Sequence, residues 1–251
     1  MVEKIKTYRG YNAGFFADAH RPIRSDRPDL MGHEVIIDQK LNTRLKEGTE
    51  AKVLGLGERM AVSLMAIGSH HTEEIASGQL GLYATSHDQF DPEVVLKVAE
   101  DRLEKYGSER GWEEAQREAY TSGGRVAWEE MFKEKPLQPD LDTLDFAQSH
   151  VGLVNYLRNV DTTKLAEVLA RKKIGEVDVI HERMGGLFHH PEKRKALAGV
   201  SNALRVGGEV ITYDKLDENE YGIDSPGVFG LRLVKEPGWL FAYREYLKVA
   251  E

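Results

Sequence analysis

Three ionisable residues in a row, His181, Glu182 and Arg183, stand directly behind a short apolar run, Val177 to Ile180. An imidazole, or a carboxylate of shifted pKa, can take a proton from an attacking oxygen or nitrogen near neutral pH. His181 and Glu182 are therefore the candidate general bases. The same segment continues to the adjacent pair His189–His190 and then Pro191. Neighbouring histidines in extended chain point apart and suit one metal ion poorly. With a proline next, they read as an exposed helix start, and His70–His71 reads the same way. The chain has no Walker A loop, no Gly-x-Ser-x-Gly elbow and no His-Glu-x-x-His pair. It has 0 cysteines, which removes disulfides, thiolate metal sites and cysteine nucleophiles together. No metal site is expected.

A second set of candidates follows the other apolar runs. Gly55-Leu-Gly57-Glu58 closes the run that begins at Ala51. Glycines there let backbone approach a ligand, and the helix amino end that follows favours an anion or carboxylate. The alternative is a tight strand-to-helix turn with no ligand. After Leu80 to Ala84 come Tyr83, at the expected strand end, and Asp88, the nearest acid. An acid at this place accepts the ribose hydroxyl protons of nucleotide-type ligands, but Asp88 equally suits a turn or a cap. After Val151 to Leu157 come Asp161 and Thr162. Asp161 is placed either to accept from an adenine amino group or to cap the helix starting at Thr162, and the two roles are compatible.

These positions need elements to hold them. Short apolar runs at 51–57, 80–84, 151–157, 177–180 and 209–213 read as strands. Between them lie segments of helical spacing: Val35 to Leu45, Met60 to Ile67, Pro92 to Leu103, Thr162 to Arg171 and Glu192 to Leu204. Five alternations of strand and helix predict a doubly wound, mostly parallel sheet with helices on both faces. Val228 to Val234 and Leu240 to Leu247, joined through Pro237-Gly238, predict a closing antiparallel hairpin. Gly107 to Asp145, rich in Glu, Lys and Trp, reads as an inserted pair of helical segments around Trp112 and Trp128. In such sheets ligands bind at the carboxyl ends of the strands, where all the candidates above fall.

The whole chain bounds the function further. Its 251 residues carry 34 Lys+Arg against 42 Asp+Glu, a net charge of -8. That balance argues against a phosphate-driven nucleic-acid binder, while leaving room for a local basic patch. The cluster Arg21, Arg24, Arg27 keeps a nucleic-acid modifying enzyme as a weaker reading. No apolar run approaches the roughly 18 residues needed to span a bilayer. The first residues, MVEKIKTYRGYN, lack a secretory apolar region. With the absence of cysteine, this sets the cytoplasm as the expected location.

The pieces in this order resemble the class I S-adenosylmethionine-dependent methyltransferase family, from about Glu50 to the C-terminus without the insertion. Val177-Asp-Val-Ile180, Leu187-Phe-His-His-Pro191 and Ala203-Leu-Arg-Val-Gly-Gly-Glu-Val-Ile211 resemble its fourth strand, helix and Gly-Gly turn into the fifth strand. The last two strands resemble its antiparallel hairpin. The resemblance implies a Rossmann-like methyltransferase domain at 49–251, with the insertion at about 107–147 and an N-terminal helical cap at 1–48. It also implies S-adenosylmethionine as cofactor, held by Gly55, Gly57, Glu58, Tyr83, Asp88, Asp161 and Thr162, and methyl transfer to a small-molecule acceptor. The aromatics Tyr8, Tyr11, Phe15 and Phe16 of the cap are placed to close over the site or to pack as core. Gly55 stands where the family has an acid, Arg59 and Ala61 replace later glycines, and Tyr83 replaces the second acid. Those departures support the alternative, a catalytically inactive domain of the same fold that binds a partner protein or another ligand. A homo-oligomer is left open.

Overall fold

The computed structural model describes residues 30, 32–57, 61–86, 92–107, 109–133, 144–182, 186–187, 190–212, 215–216, 221, 226–235 and 243–250. Glu58, Arg59, Asp88, Arg183, His189, the arginines Arg21, Arg24 and Arg27 and the cap aromatics lie outside them.

Seven strands form one sheet in the order β3-β2-β1-β4-β5-β7-β6. They are β1 (Ala51–Leu56), β2 (Leu80–Ser86), β3 (Asn155–Arg158), β4 (Val177–Glu182), β5 (Leu204–Thr212), β6 (Leu231–Lys235) and β7 (Arg244–Lys248). The first five pair in parallel. The last two pair antiparallel, with β7 lying between β5 and β6. This is a doubly wound, Rossmann-like sheet with a closing hairpin, and its order reverses between β1 and β4.

Alternation along each strand sends successive side chains to opposite faces, and parallel strands bury both. On one face Val53, Leu82, Ala84, Val179, Ile211 and Tyr243 pack with α1 (Gly32–Lys46) and α2 (Val62–Ser69). On the other, Leu54, Leu56, Ile180, Val210 and Tyr246 pack with α7 (Leu165–Arg171) and α8 (Lys193–Ala203). Helix α2 is apolar nearly all round because it is buried nearly all round, from Val62 to Gly68. Helix α3 (Thr72–Ala76) links it to β2.

Helix α4 (Pro92–Tyr106) follows β2, and after it come α5 (Glu109–Lys133) and α6 (Leu144–His150). Gly124, at φ 63° and ψ -158°, breaks α5 into two segments. Several expected bounds shift, most of all that of β5, which begins at Leu204, directly after α8, rather than at Glu209. Val151–Leu153 is a 3-10 turn, so β3 is shorter than the apolar run suggests. β2 continues two residues past Ala84 to Ser86, and β4 continues through His181 and Glu182. In each case the pairing partner decides the length: Ser86 pairs with Arg158 and Glu182 with Thr212.

Helix α1 runs antiparallel to β4 along the sheet. Its last turn is tied to the amino end of β4, where Arg44 Nη1 donates to Asp178 Oδ1 at 3.0 Å and Nη2 to the Gly207 carbonyl at 3.1 Å. Midway, Lys40 Nζ sits 2.5 Å from Glu209 Oε2 and 2.9 Å from Glu245 Oε2, and Lys235 Nζ lies 2.8 Å from Glu245 Oε1. The first turn of α1 therefore lies at the carboxyl edge of the sheet.

Burial works to raise the Glu245 carboxyl, but hydrogen bonds from Lys235 and Lys40 outweigh it and hold it below its ordinary value. For Lys40, burial works to lower the ammonium, and the two carboxylates outweigh it and raise it. The Glu245 contribution to stability is thus present above the ordinary carboxylate range and lost as pH falls through the depressed value. The Lys40 contribution is present below the ordinary lysine range and lost as pH rises through the raised one. Lys40→Met is expected to shrink the fall in melting temperature as pH rises above the ordinary lysine value of 10.5. Equal alkaline slopes in variant and wild type would refute this.

Candidate functional site

At the carboxyl edge, β1 ends in Gly57, whose φ of 63° turns the chain sharply away from the sheet. Its amide donates to Thr85 Oγ1 at 2.9 Å, on the neighbouring end of β2. Gly186, from the turn after β4, lies against the same point. A Cβ there would stand 3.2 Å from Thr162 Oγ1 and 3.6 Å from the Gly57 nitrogen. Thr162 Oγ1 is 3.4 Å from the Gly186 carbonyl, and Thr162 is buried. The chain segments leaving β1, β3 and β4 thus converge on two glycines and two threonine hydroxyls.

Of the sequence-selected residues, Gly57 and Thr162 meet in this cradle. Gly55 lies one turn inward, in register between Ala84 and His181. Tyr83 is inside β2 rather than at its end, and its ring folds back over Gly81. A Cβ on Gly81 would be 2.7 Å from Tyr83 Cε2 and 2.8 Å from its hydroxyl. The residue at the carboxyl end of β2 is Ser86.

Asp161 caps the 3-10 turn Thr162–Lys164, accepting from the Thr163 amide at 2.9 Å and hydroxyl at 2.7 Å. Those two bonds, with His190 Nε2 3.5 Å away, hold its carboxyl below its ordinary value. Glu58 and Asp88 lie outside the described residues.

The two candidate bases occupy the last two positions of β4, so alternation places them on opposite faces. His181 lies under α1: its ring stacks on His33 with centroids 4.7 Å apart and planes 11° apart, with Tyr243 6.1 Å away. His33 Nε2 in turn meets Ser63 Oγ at 3.1 Å. Glu182, on the other face, has Thr212 Oγ1 3.4 Å from its Oε2. Both are fully buried, at 0% exposure. The sequence segment His181-Glu182-Arg183 suggested one polar patch behind a strand, and the extended backbone splits it.

Sequence reasoning missed His33, Ser63, Thr85, Gly186 and Thr212. The available signal was the polar pair His33–Glu34 directly before the apolar run Val35–Ile37. It also placed His71 at an exposed turn. Instead His71 is buried, with Nε2 2.8 Å from Asp38 Oδ1, and Asn42 Nδ2 donates to the other Asp38 oxygen at 2.8 Å. A buried carboxylate needs such partners, and α1 brings it 33 residues along the chain to His71. Among the described residues no cluster of three or more His, Cys, Asp or Glu is placed to hold a metal ion. Among them, too, no helix is long and apolar enough to cross a membrane.

The sequence matches no known family and no curated protein. Solved structures of similar fold include the rRNA methyltransferase aviRa from Streptomyces viridochromogenes, at 14% identity and TM-score 0.42, covering 93% of this chain and 92% of that one. The O-methyltransferase NovP matches at 9% identity and TM-score 0.46, covering 87% of this chain and 80% of that one. The antibiotic-resistance methyltransferase Kmr matches at 11% identity and TM-score 0.40, covering 91% and 95%. Likeness at this level assigns no chemistry to the chain. The fold stands on the strand order itself.

Proposed function

We propose that the protein transfers a methyl group from S-adenosylmethionine to a small acceptor. The observation that carries this reading is the cradle at the point where strand order reverses, between β1 and β4. There Gly186 packs closely against Gly57 and Thr162, and the Thr85 and Thr162 hydroxyls stand beside them.

The donor set fits such a cofactor in part. Backbone and hydroxyl groups are present for its amino-acid and adenine ends. A carboxylate for its ribose is absent at Gly55 and at Ser86, the carboxyl end of β2. Asp88, two residues past that end, is the acid in reach along the chain. When bound, the cofactor supplies a methyl group already activated by its sulfonium. The protein's own contribution is alignment, which supplies several kcal/mol. Asp161 and Thr162 would hold the adenine end, and Gly55, Gly57 and Glu58 would line the methionine end. Glu182 or His181 would take the proton from an acceptor that keeps one, and Tyr83 would back the site from within β2.

Calorimetric titration tests the reading. S-adenosylmethionine is expected to bind with a Kd in the micromolar to millimolar range, about -8 to -4 kcal/mol. No heat and no thermal shift at millimolar ligand would remove it and leave the non-catalytic binding domain, which the missing carboxylate at Gly55 favours.

Asp161→Ala separates two roles on one residue. Loss of the cap is expected to cost about 1 kcal/mol of stability. Loss of a ligand contact is expected to cost a further 1–3 kcal/mol, roughly, of cofactor affinity. A lower melting temperature with unchanged affinity would reduce Asp161 to a cap.

A further inference from the structure

We propose that Thr85 is a positioning residue: its hydroxyl sets the glycine turn at the end of β1, and through that turn the affinity for the amino-acid end of the cofactor. The ladder between β1 and β2 ends at the pair Gly55 and Ala84, whereas β1 still pairs with β4 through Leu56 and Glu182. β2 itself runs on to Ser86, which pairs with Arg158 of β3. Past Gly55 the backbone ladder no longer ties β1 to β2.

The Thr85 side chain takes over from that ladder. Its Oγ1 accepts from the Gly57 amide at 2.9 Å, and its own proton is directed to the Gly55 carbonyl oxygen, 3.5 Å away. One hydroxyl therefore spans Leu56 and clasps the residue on either side of it. Only a group that both donates and accepts can do this. The second contact is long, so the bond from Gly57 carries the hold. Thr85 is buried, which leaves little room for water in place of the hydroxyl.

The turn needs such a hold. Gly57 sits at φ 63°, and a glycine is as free to leave that region as to enter it. Gly55 has no side chain to brace the turn from within. On the β4 side the restraint is packing alone, since a Cβ on Gly186 would stand 3.6 Å from the Gly57 nitrogen. Packing limits how far the turn can move, and the hydrogen bond fixes where its amide points.

A ligand that reads backbone gains most when the backbone is already in place, because ordering it on binding subtracts from the affinity. Gly57 belongs to the group proposed to line the methionine end, so Thr85 acts on the cofactor through Gly57. The effect on affinity rests on the methyl-transfer reading. The hold on the turn does not.

Thr85→Val and Thr85→Ser test the role. Valine keeps the branched shape and loses the hydroxyl, whereas serine keeps the hydroxyl and loses the buried methyl. Two quantities are read on the full chain: calorimetric affinity for S-adenosylmethionine, and hydrogen exchange of the Gly57 amide by NMR without ligand. Thr85→Val is expected to weaken affinity, and to speed that exchange, about tenfold or more. Thr85→Ser is expected to stay within about threefold of wild type in both, although it melts lower for want of the methyl. A space-filling role predicts the opposite order, with serine the weaker binder. That order, or a Gly57 amide equally protected in Thr85→Val and wild type, would overturn the proposal. Should Thr85→Val fail to fold, wild-type affinity and protection in Thr85→Ser support the role, and a loss of about tenfold there overturns it. If the wild type binds no S-adenosylmethionine, the methyl-transfer reading falls and takes the effect on affinity with it. The exchange of Gly57 then decides the hold by itself.

Discussion

Gly199→Ala is expected to lower the melting temperature by roughly 6–12 °C, the largest loss expected among the described glycines. Helix α8 crosses the turn after β3 so closely that a Cβ on Gly199 would lie 2.1 Å from the Thr162 carbonyl oxygen and 3.0 Å from the Thr163 carbonyl carbon. Both are backbone atoms, so no side-chain rotation can relieve the clash. Overpacking commonly costs about 1–3 kcal/mol, and backbone against backbone belongs at the upper end. In a domain of this size each kcal/mol moves the midpoint by about 2–4 °C. The control is Gly152→Ala, where nothing lies within 4 Å of the added carbon. A loss at Gly199 no greater than at Gly152 would refute the packing account. Because Thr162 also faces Gly186, the variant should weaken cofactor binding along with stability.

Glu182→Gln is expected to cut turnover by about 10²–10⁴ while leaving cofactor affinity unchanged. The side chains are isosteric, so the buried space beside Thr212 stays filled. The loss should shrink at high pH, where an acceptor that ionises unaided no longer needs a base. His181→Phe is the matched comparison. Phenylalanine can keep the stack on His33, and turnover is expected to stay within about tenfold of wild type. Glu182 is the stronger candidate because His181 is held beneath α1 by the His33 ring, 4.7 Å away. If His181→Phe loses turnover and Glu182→Gln keeps it, the assignments are reversed. A readout of cofactor binding on both variants separates loss of the base from loss of the site.

Much of the architecture follows from local rules acting on the sequence alone. Apolar runs of four to eight residues separated by helical spacing make a doubly wound sheet. Each run is short enough for one strand, and each helix is long enough for one crossover. The turn at Gly57 and the helix beginning at Pro92 follow from the backbone freedom of glycine and the fixed φ of proline, which neighbours cannot override cheaply. The missing cysteines exclude disulfides and thiolate chemistry without any fold at all.

What the tertiary structure decided is which of these residues meet. Strand length depends on a partner strand: β4 extends because Thr212 of β5 continues the ladder, and that extension sends His181 and Glu182 to opposite faces. His33 and His181 are 148 positions apart and stack only because α1 is anchored through Arg44 at the far end of β4. His71 is buried for the same kind of reason, since α1 delivers Asp38 to it. Gly186 and Gly199 gain their importance from the Thr162 turn they touch. Periodicity and propensity are properties of a window of sequence. A contact between windows is set by packing that no window contains.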